Sequence, residues 1–429
     1  MKKLLLTIVT GLVSLFSFAQ NIDKLINAAE VERIERVLSS DSMQGRKTFT
    51  PAIDRAADFI ASEFAASKLK FYGNNNSYFQ EIIMTKAKPV QVTGMIDNDS
   101  LTIANIAANT TNAELNINSL KDYEVVVVKK DDDFSKKVFP LFDEEKNYLV
   151  LVDTAHARRF KSMQRFTGNA KFASNVSQVF VLTPNLNPSS FSLHIKNQMT
   201  EQKLKNVVGV LPGKSKKAEF VVFSGHYDHL GIGKPNKDQD SIYNGANDDA
   251  AGTTAVIMLA KYFSQLKNNE RTLVFVAFTA EEIGGFGSRN FGKQIDPDKV
   301  MAMFNIEMIG TESKWGTNSA YITGYDKSDM GKILQANLAD SKFHFEPDPY
   351  PEQKLFYRSD NATLAELGVP AHTISTSKMD SEKFYHTQED EIETLDMNNM
   401  AEIIKAIAIS SKTIISGKDT PTRIPKEQN

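Results

Sequence analysis

The chain contains no cysteine. That excludes disulfide cross-links, a thiolate-bound zinc site and a lipid-modified cysteine. Any metal must then be held by His, Asp, Glu or neutral oxygen ligands. Strong charge of one sign is also lacking: 50 Lys+Arg against 53 Asp+Glu leave a formal net charge of −3. No basic surface for nucleic acid is expected. The short charged runs at 129–133 and 214–217 read as solvated loops. Past residue 18 there is no apolar run of the roughly 20 residues that a membrane span needs.

One apolar stretch stands at the beginning. Lys2 and Lys3 precede the nearly all-apolar Leu4–Phe18, and Ser17 and Ala19 put small residues at −3 and −1 of a cut after Ala19. Residues 1–19 are expected to be a secretory signal peptide, and the mature protein to be exported, periplasmic or secreted. The rest is ordinary for a globular protein, with 41% hydrophobic and 24% charged residues. A length of 429 residues suits one large domain with an insertion, or two domains.

Three textures divide the chain. In 20–85, Val31, Ile34, Val37 and Leu38 share one helical face. Residues 39–46 read as a polar connection. Thr50-Pro51 opens a second helix as N-cap and first helical residue, with Ala56, Phe59, Ile60 and Phe64 as its buried stripe. Residues 86–200 hold short β-type runs at 125–128, 148–152 and 179–182. They read as an inserted, β-rich accessory domain, with His156 and His194 in surface or packing roles. From 201 to 416 apolar strands at 207–211, 220–223, 273–278, 301–306, 320–323 and 371–375 alternate with helical patterns. The helix at 250–266 has Ala255, Met258, Leu259, Tyr262, Phe263 and Leu266 on its inward face. The fold class is α/β: a three-layer α/β/α sandwich around a central mixed sheet. Residues 417–429 read as a disordered tail.

Chemistry collects where the strands run out, the place where open α/β sheets bind ligands. His226 follows the strand at 220–223, Glu281 and Glu282 follow 273–278, and Glu307 follows 301–306. Asp248 lies in a Gly/Asn-rich loop before the helix at 250. Imidazoles and carboxylates are the ligands of water-activating divalent metals, and a pair of such ions needs a bridging carboxylate. Other histidines read as structural: His229 as a loop residue, His344 as exposed, His372 as a hydrogen-bonded core residue.

The segments GHYDHLG (225–231), NGANDDAAGT (244–253), AEEIGGFGS (280–288) and YHTQED (385–390) together resemble the co-catalytic zinc aminopeptidase family, the MH-clan metallopeptidases. Relatives in that group include glutamate carboxypeptidase, the transferrin receptor ectodomain and the glutaminyl cyclases. The resemblance implies two divalent metal ions, zinc above all. Asp248 would bridge them, Glu282 and His386 would complete the first site, and His226 and Glu307 the second. Glu281 would be the general base. Asp228 would orient the ligand histidine, Asp249 would support the site, and the 248–249 peptide is often cis in such proteins. Tyr385 would steady an oxyanion, and Arg358 would contact substrate. Glu307 departs from the usual Asp by one methylene. The implied function is an exported zinc exopeptidase, in the first place an aminopeptidase acting on peptides. Carboxypeptidase action, a glutaminyl cyclase-like acyl transfer at one zinc, and a non-catalytic binding ectodomain are the alternatives. Segments 311–318, 343–360 and 376–384 are expected to wall the pocket, with Phe356, Met379 and Phe384 as apolar candidates.

Overall fold

The computed structural model describes residues 22–426 apart from 120, 122 and 143. The expected signal peptide at 1–19 lies outside the described residues. Among the described residues no helix is long and apolar enough to cross a membrane. The chain divides into two compact units, residues 1–82 with 204–429, and residues 83–203.

The larger unit is built on a mixed sheet. Its strands are β1 (Phe191–Leu211, whose last residues belong here), β2 (Lys216–His226), β3 (Arg271–Phe278), β4 (Val300–Ile306), β5 (Ser319–Ile322), β6 (His344–Pro347) and β7 (Ala371–Ser375). They lie in the order β6-β5-β7-β4-β2-β3-β1. β3, β2, β4 and β7 run parallel in that block, while β1 pairs antiparallel with β3 and β5 antiparallel with β7. Register sets His226 opposite Phe278 and Ser224 opposite Asn305. The chemistry-bearing residues after β2, β3 and β4 therefore leave the sheet on one edge.

Strand side chains alternate between two cores, as the two-residue pleat requires. Val221, Phe223, Phe275 and Phe304 face one core, and Val222, Val274, Val276 and Met303 face the other. Phe223 stacks on Phe304 and Phe275 at 4.9 and 5.6 Å between ring centroids. The first face is covered by α1 (Ala28–Leu38), α2 (Pro51–Ala66), α3 (Ala251–Leu266), α5 (Met330–Leu338) and α7 (Met397–Ser410). The second is covered by α4 (Phe286–Gln294) and α6 (Asn361–Glu366). This is a three-layer sandwich.

Two expectations about elements need correction. α3 is not amphipathic in place: from Ala251 to Ser264 only Lys261 escapes burial. It is pressed between the sheet and the helices α1, α2 and α7, so its second face has no water to meet. Residues 417–426 are not a free tail. Ile424 is buried in the second core, and Arg423 donates from Nη1 to the Val300 carbonyl at 2.7 Å. Polar composition hid an anchor made of one apolar side chain and backbone carbonyls. Thr50 does stand at the N-cap of α2, but its hydroxyl donates to Lys47 O at 2.7 Å and makes no cap bond to the helix.

The smaller unit carries a sheet of four strands, Ile106–Asn109, Gln178–Leu182, Tyr148–Val152 and Glu124–Val128 in that spatial order. The last three are parallel. The helix Ala157–Thr167 buries Phe160 and Met163. The unit thus adds helices to the β-rich pattern expected of it. His156 is buried there with a ring nitrogen 2.9 Å from Lys129 O.

Candidate metal centre

The loop that carries Asp248 is shaped from both sides. Gly245 takes φ 57° and the peptide between Asp248 and Asp249 is cis. The Asp390 carboxylate accepts the amides of Asn247 and Asp248 at 2.8 and 3.0 Å. Asp249 points the other way. Its carboxylate accepts the amides of His226 (3.1 Å), Gly252 (2.9 Å) and Met308 (3.1 Å). One buried side chain so fixes the end of β2, the start of α3 and the segment after β4. The approach is close: a Cβ on Gly252 would sit 2.1 Å from the Ile306 carbonyl oxygen. Only glycine allows that contact.

Asp228 meets the ligand histidine through its backbone rather than its carboxylate. Its carboxylate lies 3.8 Å from His226 Nδ1, beyond hydrogen-bond range, and the ring nitrogen meets the Asp228 carbonyl oxygen at 3.1 Å. The carboxylate instead accepts the amides of Glu281 and Glu282 at 3.1 and 3.3 Å. It orients the two glutamates, and a backbone carbonyl orients the imidazole.

Arg46 is a further residue that the sequence did not disclose. Fully buried, its guanidinium donates to the carbonyls of Leu38 (2.8 Å), Tyr227 (2.8 Å), Asn244 (2.5 Å) and Gly245 (2.8 Å). It ties the segment after α1 to both loops of the centre.

Among the described residues two groups come close enough to hold a cation, His226–Asp248–Glu307 and His229–Asp248–Glu282, each with ligand atoms within 4.8 Å of one another. Asp248 is common to both. His386 faces the second group, with Nε2 3.2 Å from Asp248 Oδ2 and 3.1 Å from Glu282 Oε2. His226 Nε2 stands 3.2 Å from Asp248 Oδ1. Tetrahedral zinc with bonds of about 2.0 Å spaces its ligand atoms about 3.3 Å apart, so these separations fit metal ligands. The orphaned atoms agree. His226 Nε2, His386 Nε2, Asp248 Oδ2 and Glu307 Oε2 are buried with no hydrogen-bond partner. Buried polar atoms normally have one, and divalent cations held by the two groups would satisfy all four. His229, expected as a loop residue, is buried with Nδ1 2.7 Å from Glu282 Oε1.

Charge points the same way. Burial pushes Glu281 well above its usual range, with the Glu307, Asp360 and Asp228 carboxylates adding to it. Burial likewise raises Glu307, Asp249 and, to about 6, Asp228. Asp248 is also desolvated, yet the imidazoles of His226, His386 and His229 hold it below the normal carboxylate range. The two carboxylates beside it, Asp248 first, lift His386 to about 10. Positive charge among so dense a set of buried acids would relieve their mutual repulsion.

A cavity opens beside the group. Asp248, Glu281 and Glu307 form its acidic wall, and Met308, Tyr321, Leu355 and Met379 its apolar one. Arg358 and Tyr385 also line it, and both side chains are exposed. The Tyr385 ring lies on that of His386, 3.9 Å between centroids. Of the expected apolar residues only Met379 reaches this cavity. Phe356 belongs to the second core, where its ring fills the space beside Gly324, and Phe384 lines a separate surface groove.

The sequence matches the profile of peptidase family M28 over residues 206–410. It is 29% identical over 215 residues to a probable leucine aminopeptidase of Trichophyton verrucosum, covering 47% of this chain and 54% of the relative. It is 22% identical over 236 residues to aminopeptidase YwaD of Bacillus subtilis, covering 53% and 48%. The chain thus spans about half the length of the curated relatives it matches. Its fold is shared with the zinc aminopeptidase BSAP of Bacillus subtilis, at a TM-score of 0.55 and 16% identity over 94% of this chain and 97% of that one. An aminopeptidase from Aneurinibacillus sp. strain AM-1 gives a TM-score of 0.54 at 16% identity, over 95% and 98%. Residues 206–410 of this chain thus match peptidase family M28, and the strand-end ligands lie within that stretch.

Proposed function

We propose that the chain is a zinc-dependent exopeptidase that removes amino-terminal residues from peptides. The observation that carries this is one carboxylate, Asp248, standing between two sets of metal-ligating atoms, with Glu281 on the wall of the same cavity. In this reading His386, Asp248 and Glu282 hold one zinc ion, and His226, Asp248 and Glu307 hold a second. Bound zinc supplies Lewis acidity toward a carbonyl oxygen and toward water.

The remaining work falls to the chain. Glu281 takes a proton from the attacking water and returns it to the departing amine. A carboxyl group pushed upward by burial is suited to both transfers. The Tyr385 hydroxyl donates to the oxygen that gains charge as water adds to the scissile carbonyl. The acidic wall suits a free ammonium group and repels a carboxylate, which favours the amino end of a peptide over the carboxyl end. Met308, Tyr321, Leu355 and Met379 accommodate an apolar first side chain. Arg358, exposed at the rim, meets the chain beyond it. The amino-terminal pattern of residues 1–19 supports export.

The test is a panel of aminoacyl p-nitroanilides and their N-acetylated counterparts, with and without chelator. Hydrolysis of the free-amine substrates alone, abolished by chelation and restored by zinc, is the expected result. Equal turnover of blocked substrates, or activity indifferent to chelation, overturns the reading.

A further inference from the structure

His229 is the histidine of the centre that none of the roles above employs. Its side chain is shut off from solvent. The ring lies under the turn at Gly245, where a Cβ would come within 2.5 Å of it. Nδ1 meets Glu282 Oε1 at 2.7 Å, and Nε2 is buried with no partner. The ring crosses that of His386 edge-on, 5.7 Å between centroids.

Two roles are open to such an imidazole: to ligate the metal, or to hold a ligand. Distances separate them. Two atoms bound to one tetrahedral zinc lie about 3.3 Å apart, and His386 keeps 3.1 and 3.2 Å from Glu282 Oε2 and Asp248 Oδ2. His229 Nδ1 is nearer than that to Glu282, at 2.7 Å, and further from Asp248, at 3.9 Å. A separation of 2.7 Å is a charge-assisted hydrogen bond. It also falls on the other oxygen of Glu282, the one turned away from His386. A carboxylate only accepts, so Nδ1 carries a proton and donates to Glu282.

We propose that His229 is a positioning residue of the site formed by His386, Asp248 and Glu282. By occupying Oε1 of Glu282 it leaves Oε2 alone to face the cation, so that this ligand binds through one oxygen and in one orientation. The inference rests on the metallopeptidase reading above. Hydrogen bonds of this kind commonly change metal affinity by about 10–100-fold.

The experiment is a competition titration of the metal-depleted full chain with Zn²⁺ against a chromophoric chelator, for wild type, His229→Ala and His229→Asn. The asparagine amide can place a donor near the position of Nδ1. Expected are two zinc equivalents in all three at saturation, one dissociation constant weakened about 10–100-fold in H229A, and recovery of most of that loss in H229N. The Co²⁺-substituted H229A should also show weaker d–d absorption, as the freed Glu282 binds through both oxygens and raises the coordination number. Unchanged dissociation constants in H229A overturn the proposal. So does a zinc equivalent missing at saturation, which would make His229 a ligand. Equal weakening in H229N and H229A, with the metal-free melting temperature lowered in both, would reduce it to packing. If the wild-type chain takes up no zinc, the metallopeptidase reading itself fails, and this inference with it.

Discussion

Glu281 and Glu282 are neighbours whose amides share one acceptor, the carboxylate of Asp228. Their side chains then diverge, Glu282 toward His386 and His229, Glu281 to the cavity wall. In the proposed mechanism the pair would divide metal retention from proton transfer, which mutation can resolve. Glu281→Gln keeps shape and volume but cannot accept a proton. It should bind zinc as wild type does and lose turnover by about 10²–10⁴-fold. Metal analysis beside kinetics checks this, and activity within tenfold of wild type would remove Glu281 from its role. At this scale the sequence singled out the candidate ligands that the structure brings together, and not the residues that brace them. His226, Glu282 and Glu307 could be picked out because ligand types recur at strand ends, Asp248 from its Gly/Asn-rich loop before a helix, and His386 through the family resemblance alone. Arg46, Asp390 and the true partner of Asp228 could not. Their partners are backbone groups, which every residue possesses and no residue code reveals. The Arg46 bonds to Asn244 and Gly245 also span 198 and 199 positions.

Elements meet in this molecule at distances that leave no slack. β4 and the first turn of α3 touch through Ile306 O and Gly252. Gly252→Ala must push them apart, and Asp249, which bonds to both segments, would lose its geometry. A cost of about 3 kcal/mol or more is expected, read as a shifted midpoint in chemical denaturation. A shift under 1 kcal/mol would show that the contact yields. The Arg46 interaction makes a second case. Arg46→Met removes a buried cation and strands four carbonyl oxygens, for a loss of about 3–5 kcal/mol. Helix and strand periodicity identified these elements to within a few residues, α2 from its Pro51 start and β3 and β4 from their apolar runs. Periodicity misjudged α3, since a pattern of inward residues describes one covered face and the packing of α1, α2 and α7 covers the other as well.

For the whole molecule, the consequences of buried acid are measurable in stability. Zinc bound only to the folded state should raise the melting temperature. Saturation at 100 times the dissociation constant is worth about 2.7 kcal/mol. A scan of chelated and zinc-loaded protein tests this, and coincident transitions would refute it. Metal-free protein should show a second signature. Glu35, on α1, is wholly buried, with one oxygen bonded to the Thr254 hydroxyl at 2.8 Å, and burial lifts it from 4.5 to about 8. Below pH 4.5 it carries its proton folded or unfolded. Between 4.5 and about 8 only the folded state keeps the proton, so stability falls as pH rises and levels off above that window. The contribution is a few kcal/mol in order of magnitude. Glu35→Gln should flatten the decline between pH 5 and 8 in metal-free thermal scans, and parallel slopes for the two proteins would contradict it.

Arg46 also sets the smallest piece of this protein able to work. The profile match begins at residue 206, yet the carbonyls of Tyr227, Asn244 and Gly245 are capped by a guanidinium from far upstream. A fragment trimmed to 206–410 would contain every proposed ligand and leave its loops unbraced. It would also strip α1 and α2 from the outer side of α3, exposing a helix with no polar face to offer water. Such a fragment should precipitate rather than hydrolyse, and supplying residues 22–69 as a separate chain is the direct way to ask whether the missing brace can be returned.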